Sequence, residues 1–160
     1  MKIKEKTMEE LELFEAASKD LFDTMQGFKD NLSVQFPLLD SDNWQYDKGS
    51  IKVCKADESG FKKRCRVGVS YNLKTNLSNE DAEQIWLLFK DYFLYCKFDQ
   101  IERNSNNEDL GRYVFSASSP LGDQVDCSLY LPNEWNIPQI SFSGYLTARY
   151  RACDLDKLQE

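Results

Sequence analysis

From Phe98 to Leu146 the chain alternates apolar and polar residues with a period of two: Tyr113, Phe115 and Ala117, then Val125, Cys127, Leu129 and Leu131, then Ile140, Phe142, Gly144 and Leu146. Strict alternation marks a strand with one buried and one wet face. Asn104 to Asp109 reads as an exposed turn, Ser119-Pro120-Leu121-Gly122-Asp123 as a tight turn and Pro132 to Pro138 as a longer loop. Connections this short cannot carry the crossover that parallel neighbours need, so the segment is predicted to be a four-stranded antiparallel meander. Cys65, Val67, Val69 and Tyr71 alternate in the same way, and Cys54 lies on a neighbouring predicted strand.

Two segments follow the helical period instead. Between Met8 and Val34, the residues Phe14, Ser18, Leu21, Met25, Phe28 and Leu32 recur at steps of four and three until Pro37 ends the run. A second helix is predicted to start at Ser78, whose side chain can cap the first free amides, with Glu80 and Asp81 placed at the positive end of the helix dipole. Ala82, Ile85, Trp86, Phe89, Tyr92, Phe93 and Cys96 share its inner face, and Leu87, Leu88, Leu94 and Tyr95 predict burial on more than one side. The order is α-β-β-α-β-β-β-β. We read it as one α+β domain over residues 1–160, a two-layer sandwich with two helices on one face of a mainly antiparallel sheet. Alternation puts Arg66, Ser70, Ser116, Asp126, Ser128, Tyr130, Ser141, Ser143, Tyr145 and Thr147 on the other face. That face is either solvated or a flat recognition platform.

The chemistry open to this fold is narrowed by the absence of histidine from all 160 residues. Histidine is the usual acid/base at neutral pH, the commonest metal ligand and the usual activator of a nucleophile. No glycine-rich phosphate loop or paired CxxC replaces it, so we expect a protein that is not an enzyme and carries no cofactor. Asp40 and Asp42 open like a calcium loop, but Trp44 and Gln45 stand where a further ligand and a glycine are required. The odd set Cys54, Cys65, Cys96, Cys127 and Cys153 has no zinc spacing and reads as reduced, partly buried thiols. A reactive Cys65 would draw on Lys62, Lys63, Arg64 and Arg66. In an exported chain Cys54 and Cys65 would be the first disulfide candidates, with Cys153 able to approach them. The longest apolar stretch, Ile85 to Cys96, is broken by Lys90 and Asp91 and falls short of a membrane span. The basic start lacks the apolar region of a signal peptide, so the expected location is cytoplasmic.

Charge is divided unevenly. Residues 48–74 hold eight Lys/Arg against Asp57 and Glu58, a balance of +6, which leaves −13 on the rest of a chain whose net charge is −7. The basic hairpin, with Phe61 for stacking, could touch nucleic acid, but a sequence pI near 4.7 disfavours a polyanion. An acidic surface attracts basic proteins and speeds their encounter.

This pattern of size, acidity, missing histidine and exposed aromatic loops resembles the immunity proteins that bacteria make against toxins of contact-dependent inhibition or specialised secretion. The leading helix, Trp44 and Cys54 ahead of a strand, and Cys153 after the last one are similar to small mycobacterial lipoproteins of the LppA type, although the lipobox cysteine and leader are missing. The first resemblance implies a stoichiometric inhibitor of a basic toxin domain such as a nuclease. Its expected contacts are the loop acids Asp40, Asp42, Glu108, Asp109, Asp123 and Glu134, with Trp44, Tyr46 and Trp135 as aromatic anchors. The alternative is a small-molecule-binding or envelope-associated domain with an apolar pocket lined by Trp86, Phe89 and Phe93. A histidine-free enzyme using carboxylates or tyrosine is the third reading.

Overall fold

A computed structural model describes residues 13–40, 43–46, 51–56, 58, 60, 63–134 and 136–151. Helix α1 (Phe14–Gln35) leads through a 3-10 turn (Pro37–Leu39) to strands β1 (Gln45–Tyr46), β2 (Ile51–Ala56) and β3 (Lys63–Lys74). Helix α2 (Asn79–Leu94) follows, and then β4 (Gln100–Asn104), β5 (Arg112–Ser118), β6 (Gln124–Tyr130) and β7 (Gln139–Tyr150). All pairings are antiparallel, in the order β1-β3-β7-β6-β5-β4, with β2 also on β3. The α+β architecture and the meander are those expected. The difference is β1, a two-residue strand too short to leave an alternation signal.

Both helices roof one face of the sheet. On α1, Phe14, Ala17, Leu21, Met25, Phe28, Lys29 and Leu32 are buried; Ala17 takes the inward place and Ser18 is only partly covered. The Ser78 hydroxyl accepts from the Asp81 amide and the Asp81 carboxylate accepts from the Ser78 amide, so the start of α2 is closed reciprocally. Phe28 is the centre of the core, with its ring centroid 5.5 Å from Phe89, 5.5 Å from Phe93 and 5.2 Å from Phe142. Two glycines permit this closeness. A Cβ on Gly144 of β7 would lie 2.6 Å from the Met25 sulfur, and one on Gly27 would strike the Tyr92 hydroxyl, which donates to the Thr24 carbonyl at 2.9 Å. In α2 only Ala82, Ile85, Phe89 and Phe93 are buried, whereas Leu87, Leu94 and Tyr95 are exposed. The expectation of burial on more than one side holds for the sheet side and for the flank covered by α1, where Leu88 packs partly against the core, and fails on the other flank, which nothing among the described residues covers. No helix among the described residues is long and apolar enough to cross a membrane.

Two features break the simple alternation. Cys65 pairs with Arg149 and Val67 with Leu146, so three steps on β7 oppose two on β3. This bulge turns Arg149 to the buried side. Cys54 and Cys65 stand directly opposite on β2 and β3 and are joined by a disulfide, which corrects the expectation of reduced thiols at this pair and leaves Cys65 no free thiol to react. Cys96 and Cys127 are free, and burial raises both thiols above their ordinary range. Cys153 lies outside the described residues.

Lys29 is the odd member of the core stripe. It is 4% exposed, with its amine 3.6 Å from the centre of the Tyr71 ring and 5.9 Å from that of Trp44. The rings' negative faces offset part of the desolvation cost, and burial still lowers its pKa. At low pH the amine is charged in folded and unfolded chains alike, and the fold carries the cost of burying it. As pH rises through the lowered folded value the native state sheds its proton first, so stability climbs until the ordinary lysine value of about 10.4 is passed. Urea unfolding at intervals from about pH 8 to about pH 10 should show this rise, and K29M should flatten it.

Candidate protein-binding surface

The C-terminal ends of β4 and β6 and the N-terminal ends of β5 and β7 meet at one end of the sheet. There the loop 105–111 and the loop 131–138 are sewn together. The Leu131 amide donates to the Gly111 carbonyl at 2.8 Å, and the side-chain amides of Asn133 and Asn136 both donate to the Leu110 carbonyl, at 2.6 and 2.9 Å. Arg112 closes the seam through Nε to Asn136 Oδ1 at 3.0 Å. The stitching brings Asp109 and Glu134 into one loop cluster, both exposed and neither paired with a cation among the described residues. Leu110 and Ile137 are exposed on the same cluster. Asp40 and Tyr46 are exposed beside this end, where β1 begins opposite Asn72 of β3. Asp42 and Trp135 lie outside the described residues.

Three predicted contacts are committed inside the molecule. Trp44 is buried and donates from its indole nitrogen to the Leu39 carbonyl at 3.1 Å, so it serves as a core anchor. Glu108 is drawn inward by Arg103 of β4, whose guanidinium bonds it at 2.7 and 2.6 Å and bonds Glu83 of α2 at 2.9 and 2.6 Å. Arg103 also lies 5.5–5.7 Å from the ring centres of Trp86, Tyr113 and Phe115. Its hydrogen bonds hold the Glu83 carboxyl below the usual range. Asp123 sits in the β5–β6 turn, at the opposite end of the sheet from Asp109 and Glu134. It is 7% exposed and pairs with Arg149, itself 3% exposed, at 2.5 Å. The Thr147 amide and hydroxyl donate to the other Asp123 oxygen at 2.8 and 2.7 Å.

The loop positions of Glu108 and Asp123 were legible, but the direction of their side chains was not. Arg103 did carry a signal, because it shares the inward side of β4 with Ile101. Arg149 carried none, because the bulge that buries it leaves no trace in composition.

The space between α2 and the sheet, where an apolar pocket lined by Trp86, Phe89 and Phe93 was expected, is filled by rings. Trp86 lies 5.0 Å from Phe115 and Phe89 lies 4.6 Å from Phe93, centre to centre. The far face of the sheet has the polar character expected. Ser70, Ser143, Asp126, Ser116 and Glu102 form one row across five strands. Asp126 accepts from Ser116 Oγ at 2.6 Å and from Gln124 Nε2 at 2.7 Å. Where β4 and β5 meet on this face, a shallow depression of about 390 Å³ is lined by Glu102, Asn104, Asn106, Val114 and Ser116.

No protein-family model, curated protein or solved structure matches this chain.

Because Asp123 is the only charge bonded to Arg149 among the described residues, D123A strands a buried cation. We expect a loss of about 3–5 kcal/mol in urea-monitored stability, with no effect on any contact made by the Asp109–Glu134 end.

Proposed function

We propose that this chain is a stoichiometric inhibitor of the immunity-protein kind, which binds a cationic toxin domain such as a nuclease through its acidic loop end. The observation that carries this reading is the stitched loop cluster. Asp109 and Glu134 come from separate connections, are held by backbone and amide hydrogen bonds, and flank exposed Leu110 and Ile137. Carboxylates free of internal cations can steer a basic partner, and apolar side chains between them can supply a desolvated centre. The charge layout supports an oriented approach. The basic β2–β3 hairpin, with Lys52, Lys55, Arg64 and Arg66, extends toward the far end of the sheet, where Arg64 pairs with Tyr150. A cationic domain is therefore repelled at one end and drawn to the other.

Location belongs to the same reading. A toxin acting inside the cell is met in the cytoplasm, whereas the Cys54–Cys65 bond belongs to an oxidising compartment. Mass analysis after alkylation of the protein taken from its native cell decides the point: two alkyl groups on this pair support the cytoplasm, and none supports the envelope.

The function is tested by capture with the tagged chain, washed at about 0.1 M and about 1 M salt, across which the Debye length falls from about 10 Å to about 3 Å. We expect a basic protein in equimolar amount at low salt, lost at high salt, lost with D109K/E134K and retained with K55E. A partner indifferent to salt, or no partner at all, refutes the proposal.

A further inference from the structure

We propose that β4 is the docking edge for an extended segment of the partner, which adds to the sheet as a further strand and alternates Lys or Arg with apolar residues. This inference rests on the cationic-partner reading and specifies where and how the partner binds. Among the described residues strand β4 ends the sheet and, of the strands, pairs only with β5. On an antiparallel terminal strand, alternate amides and carbonyls point outward, and those of β4 meet no further strand among the described residues.

The two sides of this edge ask for different side chains. On the open face Glu102 is exposed, has no cation partner among the described residues and borders the 390 Å³ depression with Asn104, Asn106 and Ser116. A residue of the incoming strand opposite Glu102 would project onto this face within reach of its carboxylate. A lysine or arginine there meets the carboxylate, and its stem follows the depression. On the helix face the next side chain meets the flank of α2. Glu83 reaches Arg103 of β4, and Leu87 and Leu94, four and eleven residues further on, share that side of the helix. They are 55% and 54% exposed, which leaves an apolar strip beside the edge.

Charge selects the occupant. Arg103 is taken up by Glu83 and Glu108, while Asp99, Glu102 and Asp109 remain unpaired around β4 among the described residues. A second copy of this chain is excluded as the occupant by the same charges, because antiparallel pairing centred on Glu102 would set that residue against itself. The opposite edge, β2, carries Lys52 and Lys55 and repels the strand that β4 attracts.

The test uses the full chain labelled with ¹⁵N and, as probe, an acetylated heptapeptide alternating lysine and valine at about 50 mM salt. The same peptide with N-methylated valines keeps the charge but cannot pair along one edge. Strand addition predicts slowed amide exchange within residues 100–104, shifted amide signals at Leu87 and Leu94, loss of both with the methylated peptide, and about tenfold weaker binding to E102K. Binding that shifts only residues 105–111 and 131–138, with exchange in β4 unchanged, overturns strand addition and leaves the cationic-partner reading standing. No response to the unmethylated peptide anywhere overturns both.

Discussion

The hairpin of β2 and β3 and the meander from β4 to β7 are each built by neighbours in sequence, and neither alone makes a core. They become one sheet where β3 lies along β7, from Arg64 opposite Tyr150 to Lys74 opposite Gln139. The inward sides of this pairing, Val67 and Val69 with Phe142, Gly144 and Leu146, form the floor on which α1 rests. Its ladder spans a separation of some seventy residues, so the chain pays a large closure entropy before any of these contacts can form. The close seating of Met25 and Leu21 on Gly144 is possible only once β3 and β7 are joined.

Local features of this molecule were legible because their causes are local. The cap at Ser78 is written in four consecutive residues, and the alternation from Tyr113 to Leu146 records which side of each strand meets the helices. Features that depend on register were not legible. The bulge opposite Cys65 inverts the facing of Arg149, and so a tight-turn aspartate became one half of a buried ion pair. Trp44 and Glu108 were placed in loops correctly, yet loop membership says nothing about whether a side chain turns outward, and partners on Leu39 and Arg103 decided it. The exposed leucines of α2 misled in the other direction, since an apolar helix looks the same in sequence whether its second flank is covered or bare.

Three charged side chains, Lys29, Arg103 and Arg149, are drawn into or against the core, and each is held by different means. Lys29 faces aromatic rings, Arg103 is clamped between two carboxylates over an aromatic bed, and Arg149 shares one aspartate with a threonine. Arg103 and Arg149 take their carboxylates with them, so burial removes acids as well as cations from the charge that the surface presents.

The disulfide joins residues only eleven apart, both in one hairpin, and so it cannot brace the long β3–β7 seam. What it constrains instead is the chain after that seam has come apart. A crosslinked turn carrying Lys55, Lys62, Lys63 and Arg64 against Asp57 and Glu58 persists as a compact loop of net positive charge in the unfolded ensemble, where every other strand is released. The oxidised chain thus unfolds to a state that is already locally ordered and locally positive. Opposite charges in the acidic remainder have a fixed centre to collapse upon, and the reference from which the native fold is measured shifts with the oxidation state of two sulfur atoms.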